Sequence, residues 1–261
     1  MSTPEPVDPS APALRGPIMM GQAWRDLTLL HWALDPERVA PLMPPGVRPD
    51  TLDGVTYVGL IPFRMVGAGI GRGPGVPWAG TFLETNVRLY SVDGTGRRGI
   101  VFRTLEASRL AVVLGARASF GLPYRWARMA FDDRPSPTGP GADVPGRQLA
   151  YATRGRGARA GVRSRVVVEV GDLLPPAEER LATFLTARWG LHEAHAGRTW
   201  YVPNEHETWP LHSARVLALE DDLVAAAGFP ELAGRAPDHV AFSPGVRTRF
   251  GLPGDARTPR R

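Results

Sequence analysis

Apolar positions in this chain fall mostly in short runs or in alternation, the periods expected of strands, and only twice at helical spacing. Leu27–Ala33 reads as a buried strand. Asp35-Pro36 opens a short helix, with Asp as N-cap and Pro at the first helical position; it runs to about Met43 and stops at Pro44-Pro45-Gly46. Thr56–Val66 reads as a strand bent at Pro62, followed by a Gly/Pro-rich loop over Gly67–Pro77. In Phe82–Tyr90, Leu83, Val87 and Leu89 share one face with Thr85, and Phe82, Glu84, Asn86, Arg88 and Tyr90 share the other. Gly99–Glu106 is a further strand. Ser108 caps a helix over 109–120, with Gly121 at its C′ position. Tyr124–Phe131 returns as a strand, and 132–147 is a Pro-, Gly- and Asp-rich loop. Strands follow near 148–154 and 162–171. Pro175-Pro176 opens a second helix to about Trp189, with an apolar stripe of Leu181, Phe184, Leu185 and Trp189. Short strands near 199–203, 214–219 and 239–243 complete the pattern.

Many strands with two substantial helices predict an α+β fold built on a curved or barrel-like, mostly antiparallel sheet, with the helices packed outside. Residues 1–20, rich in Pro and Ala and without periodicity, read as a disordered tail. Residues 21–252 read as one domain and 253–261 as a flexible tail.

Composition narrows the chemistry. All 31 basic residues are Arg, and the chain has no Cys. A side-chain Schiff base, a pyridoxal-phosphate anchor and a P-loop lysine are therefore excluded, as are thiol nucleophiles and Cys-based zinc sites. No G-x-S-x-G or H-E-x-x-H motif occurs, and Gly69–Gly73 lacks the pattern of a dinucleotide loop. The N-terminal stretch has no apolar core of a signal peptide, and no run approaches the length of a membrane span; the expectation is a cytoplasmic protein with no membrane partner. The net charge of +5 is spread along the chain. Six Arg between Arg147 and Arg165 could form a phosphate-contact stripe, but aromatic interleaving is missing. They are read as outward-facing hairpin residues, without a nucleic-acid partner. His192, Glu193 and His195, and Glu205, His206, Glu207 and His212, could suggest a metal. Gly190 ends the preceding helix, so these are read as solvated loop histidines, and no metal or cofactor is expected.

The polar face of Phe82–Tyr90 leaves two readings. If Leu83, Val87 and Leu89 pack beneath the helices, then Glu84, Asn86 and Arg88 face an interior lumen as a ligand site; otherwise they face solvent.

Several clusters together resemble one family. They are Asp26-Leu27 with His31-Trp32, Pro44-Pro45-Gly46, Tyr57–Phe63, Glu84-Thr85-Asn86-Val87-Arg88, Leu122-Pro123-Tyr124, and Trp209-Pro210-Leu211 preceded by His206. In this order they resemble the YqjF-like family of proteins of unknown function, over roughly residues 22–250. That family is more remotely similar to acetoacetate decarboxylase. The resemblance aligns Glu84 with a catalytic glutamate and sets Arg25 near a substrate-binding arginine. Tyr124 and Arg125 stand where the decarboxylase has its two lysines, and Val58 stands where its other glutamate is expected. Tyr cannot form an imine, and Arg is too basic to act as a neutral amine. What the resemblance implies is the scaffold without the imine chemistry.

On that frame Glu84 and Tyr124 are the catalytic candidates, as base and general acid, and Arg25, Arg88, Arg117, Arg125 and His206 the substrate-binding ones. Such a set suits a lyase, isomerase or cyclase acting without a metal on a small organic oxo-acid or polyketide-like compound. The alternative is a non-catalytic small-molecule binding protein. The expected partner is an anionic small molecule, and a homo-oligomer is compatible with the sequence. Strand alternation sets Tyr124 and Arg125 on opposite faces unless the chain bends at Pro123.

Overall fold

The computed structural model describes residues 2–135, 145–175 and 180–256. Among them thirteen strands form one sheet: β1 (Ile18–Leu34), β2 (Val47–Pro49), β3 (Thr56–Ile70), β4 (Phe82–Asp93), β5 (Arg98–Ala107), β6 (Tyr124–Arg134), β7 (Gln148–Gly155), β8 (Arg163–Leu173), β9 (Gly190–His195), β10 (Arg198–His206), β11 (His212–Asp221), β12 (His239–Gly251) and β13 (Gly254–Asp255). Four α-helices accompany them: α1 (Pro36–Val39), α2 (Leu110–Phe120), α3 (Arg180–Thr186) and α4 (Leu223–Ala226). The α+β class is as the pattern implied.

The strand order is β13-β10-β9-β5-β6-β7-β8-β11-β12-β1-β3-β4-β2, with β4 also pairing β5 and β10 also pairing β12. These extra pairings close the sheet on itself twice. One ring runs β12-β1-β3-β4-β5-β9-β10, the other β12-β1-β3-β4-β5-β6-β7-β8-β11, and they share a five-strand wall. All pairings are antiparallel except β5–β6 and β5–β9. The parallel β5–β6 step needs a crossover, and α2 supplies it.

Both faces of the shared wall are therefore covered. One carries a core of Leu30, Trp32, Val58, Leu60, Val87 and Leu89 with Leu149, Val166, Val168 and Phe242, closed by Leu223 and Val224 of α4. The other carries Leu29, Ile61, Phe63, Phe82 and Leu105 with Val113 of α2, and farther along Tyr57, Tyr90 and Phe250 with Phe184 and Leu185 of α3. This reverses one expectation. The helices α2 and α3 cover the face that carries Glu84, while Val87 and Leu89 pack against the other strands and α4.

Several local expectations also change. β1 begins at Ile18 and β12 continues to Gly251, because each long strand bends to serve both rings. Residues 2–17 form no helix or strand but lie against the sheet: Glu5 N donates to Gly96 O at 2.8 Å, Trp189 Nε1 to Asp8 O at 3.0 Å and Leu14 N to Glu205 Oε2 at 3.0 Å. Ser108 does not cap α2; its Oγ accepts from Leu83 N at 3.0 Å, tying the helix start to β4. Gly121, at φ 70°, closes α2 as expected. The second helix ends at Thr186, since Arg188 turns inward and donates to Asp50 and to Phe184 O. Its expected opening at Pro176, and part of the 132–147 loop, lie outside the described residues.

Candidate proton-transfer site

Tyr124 is the first residue of β6, directly after the α2 crossover and Pro123. Its neighbour in the parallel pairing is Leu105 of β5, and Leu105 in turn stands opposite Asn86 of β4. This register carries the Tyr124 ring over β5 toward β4. Its hydroxyl donates to Glu84 Oε2 at 2.8 Å. Asn86 Nδ2 donates to Glu84 Oε1 at 3.4 Å, the limit of a weak hydrogen bond. Glu84 is 2% exposed and, among the described residues, has no ion-pair partner. Phe63 and Ala107 stand opposite it on either side.

Burial dominates the electrostatics. Loss of hydration pushes the Glu84 carboxyl up to about 7, against the two hydrogen bonds, which favour its ionised form. Burial and the neighbouring carboxylate hold the Tyr124 phenol well above its ordinary value, so it stays protonated and donates. A carboxyl poised near neutrality beside a fixed phenol proton can either take or give a proton at neutral pH.

Farther along the same face of β4, Arg88 Nε donates to Tyr90 Oη at 3.1 Å, and Arg88 also donates to Leu185 O at 3.3 Å. Tyr90 Oη lies 2.6 Å from His31 Nε2, and His31 Nδ1 lies 3.2 Å from His239 Nδ1. Burial first, then the charges of His239 and Arg88, hold His31 well below the usual imidazole range. Arg88 and His206 are close enough to influence each other: burial pushes His206 down to about 4, and the Arg88 charge adds to this. His206 packs between Trp189, at 4.4 Å between ring centroids, and Trp209, at 5.1 Å; Trp24 stacks on Trp209 at 5.8 Å and meets Phe63 edge-on.

The structure thus groups Glu84, Tyr124, Arg88 and His206 on one side of the wall. It does not bring Arg25, Arg117 and Arg125 to them. Arg25 follows Trp24 in β1, so alternation turns it to the opposite face, in register with Arg64. Arg125 is exposed on the face of β6 opposite Tyr124, because the bend at Pro123 does not override alternation. It is near Arg159 and the buried Glu106, with Arg117 exposed on α2.

Sequence reasoning missed the indoles. Trp24 and Trp209 surround His206, and the Nε1 atoms of both are buried without an acceptor; Asn86 Oδ1 and Asn204 Oδ1 are buried without a donor, and Thr248 Oγ1 without a partner. The signal for Trp24 was its parity: in β1 it shares a face with the site and Arg25 does not. The histidines read as solvated are also placed differently. His192 is fully buried in β9, 2.9 Å from Ser91 Oγ and 3.4 Å from Asp93 Oδ2. Among the described residues no three His, Asp or Glu side chains gather as a metal-ligand set. Three of the six arginines of the Arg147–Arg165 stripe are in ion pairs: Arg147 with Asp26 and Asp133, Arg159 with Glu106 and Arg165 with Glu220. None of the helices described is long and apolar enough to cross a membrane.

Solved structures share this architecture. An acetoacetate decarboxylase-like enzyme from Sphingomonas wittichii RW1 superposes with a TM-score of 0.63 at 14% identity, over 93% of this chain and 94% of that one. The enduracididine biosynthesis enzyme MppR, solved in complex with pyruvate, superposes with a TM-score of 0.59 at 15% identity, over 94% and 92%. At such identities the likeness shows the fold. In sequence, the uncharacterized protein YqjF of Bacillus subtilis (strain 168) is 26% identical over 196 residues, 75% of this chain and 76% of its own. The model of the DUF2071 family, described as an uncharacterized conserved protein, matches residues 21–247, and the chain belongs to that family.

Proposed function

We propose that this protein is an enzyme that moves a proton on a small organic oxo-acid or polyketide-like carbonyl compound, as a lyase, isomerase or cyclase. Glu84 takes and returns the proton, and the Tyr124 hydroxyl, which stays protonated, fixes the carboxyl for that transfer by donating to it. The observation that carries this reading is the buried Glu84 carboxyl, without an ion-pair partner and 2.8 Å from the Tyr124 hydroxyl. A carboxyl used only for structure is normally paired with a charge when buried. One held near neutrality suits proton abstraction beside a carbonyl.

The remaining groups fit such a substrate. Arg88 supplies a cation for a carboxylate. The indole N–H groups of Trp24 and Trp209 lack acceptors and are donors available to a carbonyl or enolate oxygen. An imine on a side-chain amine is closed, because the chain has no lysine. The complex of the fold relative MppR with pyruvate is in keeping with a small 2-oxo acid as ligand.

The orphaned polar atoms support a second reading equally well, that of a protein which binds such a ligand without turnover. Incubation with a panel of 2-oxo and 3-oxo acids in deuterium oxide separates the two. Proton NMR is expected to show deuterium entering the carbon beside the carbonyl faster than without protein, and no longer doing so with Glu84→Gln. Saturable binding with no exchange and no product would establish the binding reading instead.

A further inference from the structure

We infer that a second site, separate from Glu84 and Tyr124, binds the phosphoryl group of a small molecule. It is a cleft of about 500 Å³ where β3, β4 and β6 meet the start of α2. Arg64, Arg109, Arg128 and Arg156 line it, over a floor that includes Met65, Phe82, Ala127 and Met129, and no Asp or Glu is among its lining residues. Its volume falls within the ordinary range of small-molecule sites.

Four guanidiniums around one cleft repel each other unless an anion joins them. Among the described residues outside the cleft, twelve arginines form ion pairs, among them Arg97 with Asp93, Arg98 and Arg188 with Asp50, and Arg215 with Glu169. In the cleft only Arg64 has such a partner, Asp26 at 2.8 Å. Among the described residues Arg109, Arg128 and Arg156 form no ion pair.

Two of the three are held in place without using their hydrogen bonds. Arg109 lies over the Trp78 ring, 4.5 Å from its centroid, and Arg156 over Trp126 at 3.8 Å. Stacking orients a guanidinium by its face and leaves the in-plane N–H groups free for a bidentate contact. The Nε atoms of both are buried with no acceptor, although neither residue is fully buried. A buried donor without an acceptor is costly, and a ligand oxyanion offsets that cost. α2 also begins on the cleft wall, with no acidic residue in its first turn and no side-chain cap. One carboxylate would satisfy one such fork; three unpaired guanidiniums fit the several oxygens and higher charge of a phosphoryl group.

Isothermal titration of the full chain with inorganic pyrophosphate at 0.15 M salt tests this. Saturable binding near one per chain is expected, weakened at least tenfold in Arg109→Gln/Arg156→Gln. The charge-matched control Arg180→Gln/Arg215→Gln removes two exposed, paired arginines and is expected to bind as the unmodified protein does. Should the first double variant fold poorly, Arg128→Gln alone removes an exposed cleft arginine and is expected to weaken binding several-fold. Absence of binding, or equal loss in the control, overturns the inference. So does an unphosphorylated single-stranded oligonucleotide that binds tighter than pyrophosphate and loses affinity with the same arginines; the cleft would then be a nucleic-acid contact.

Discussion

Glu84 and Tyr124 are joined by a 2.8 Å hydrogen bond although their strands, β4 and β6, do not pair with each other. β5 lies between them and sets the register for both, with Ala107 opposite Glu84 and Leu105 beside Tyr124. The carboxyl–phenol pair is therefore placed by a three-strand unit whose parallel step is enforced by α2. Rigid placement of this kind is what a proton-transfer pair requires.

The raised carboxyl has a thermodynamic consequence. Between its ordinary value of 4.5 and about 7, Glu84 is protonated in the folded chain and ionised in the unfolded one. The folded state then holds more protons, so this group's contribution to stability falls as pH rises through that window and levels off above it. Glu84→Gln keeps the shape and the Tyr124 donor and removes the titration. Relative to the unmodified protein, its stability is expected to rise between pH 5 and 8, by on the order of 3 kcal/mol. Urea unfolding at a series of pH values reads the difference; a pH-independent difference would mean that Glu84 is not shifted.

Acid acts through the histidines in the opposite sense. Burial pushes His206 and His239 down to about 4 in the folded chain. Between 6.5 and 4 the unfolded chain takes up protons that the folded one refuses, so the stability these groups confer is present above pH 6.5 and lost as pH falls toward 4. His239→Gln is expected to make the decline of the thermal midpoint between pH 6.5 and 4 shallower. An unchanged slope would place His239 in a wetter environment than the structure gives it.

Asp50 accepts from Arg98 and from the fully buried Arg188, which also lies over Phe184 at 4.2 Å. Asp50→Asn leaves two guanidiniums without their counter-charge, one of them shut off from water. The expected loss is about 3–5 kcal/mol in denaturant unfolding. The exposed pair Asp53–Arg180 provides the contrast: Asp53→Asn is expected to cost less than about 1 kcal/mol. Equal effects would contradict the burial of the Asp50 cluster.

Gly245 stands opposite Arg25 at φ 120°, where a Cβ would come within 1.9 Å of Trp24 O. A side chain there cannot be accommodated without moving β1 at the residue that carries Trp24. Gly245→Ala is expected to destabilise the fold by about 2 kcal/mol or more. It is also expected to alter the near-ultraviolet circular dichroism of the Trp24–Trp209 stack. Unchanged stability and spectrum would refute the close approach.

Much of this was legible in the sequence, and the losses have physical causes. Alternation along Phe82–Tyr90 separated Glu84, Asn86 and Arg88 from Val87 and Leu89, and the structure keeps that division. Which face the helices cover was not readable, because a wall shared by two rings is buried on both sides and its pattern does not say which core belongs to which helix. Alternation also argued against a shared site for Tyr124 and Arg125, and the structure follows it. For Arg25, family position pointed to the wrong neighbour of the pair Trp24-Arg25. His192 was read as solvated because Gly190 suggested a loop; Gly190 instead begins β9, where any side chain would collide with the Tyr201 ring. Whole-chain charge gave no sign of the arginine cleft, because its members come from β3, α2's start, β6 and the turn after β7.

The pH–rate profile of protein-catalysed deuterium exchange into a 2-oxo acid tests the Glu84–Tyr124 account most directly. With Glu84 as base and its carboxyl near 7, the exchange rate is expected to rise about tenfold per pH unit below that value and to level off above it. Tyr124→Phe is expected to move the inflection, because it removes the hydrogen bond that favours the ionised carboxyl, and Glu84→Gln to reduce exchange to the uncatalysed rate. Exchange that persists in Glu84→Gln with the same profile would contradict the assignment.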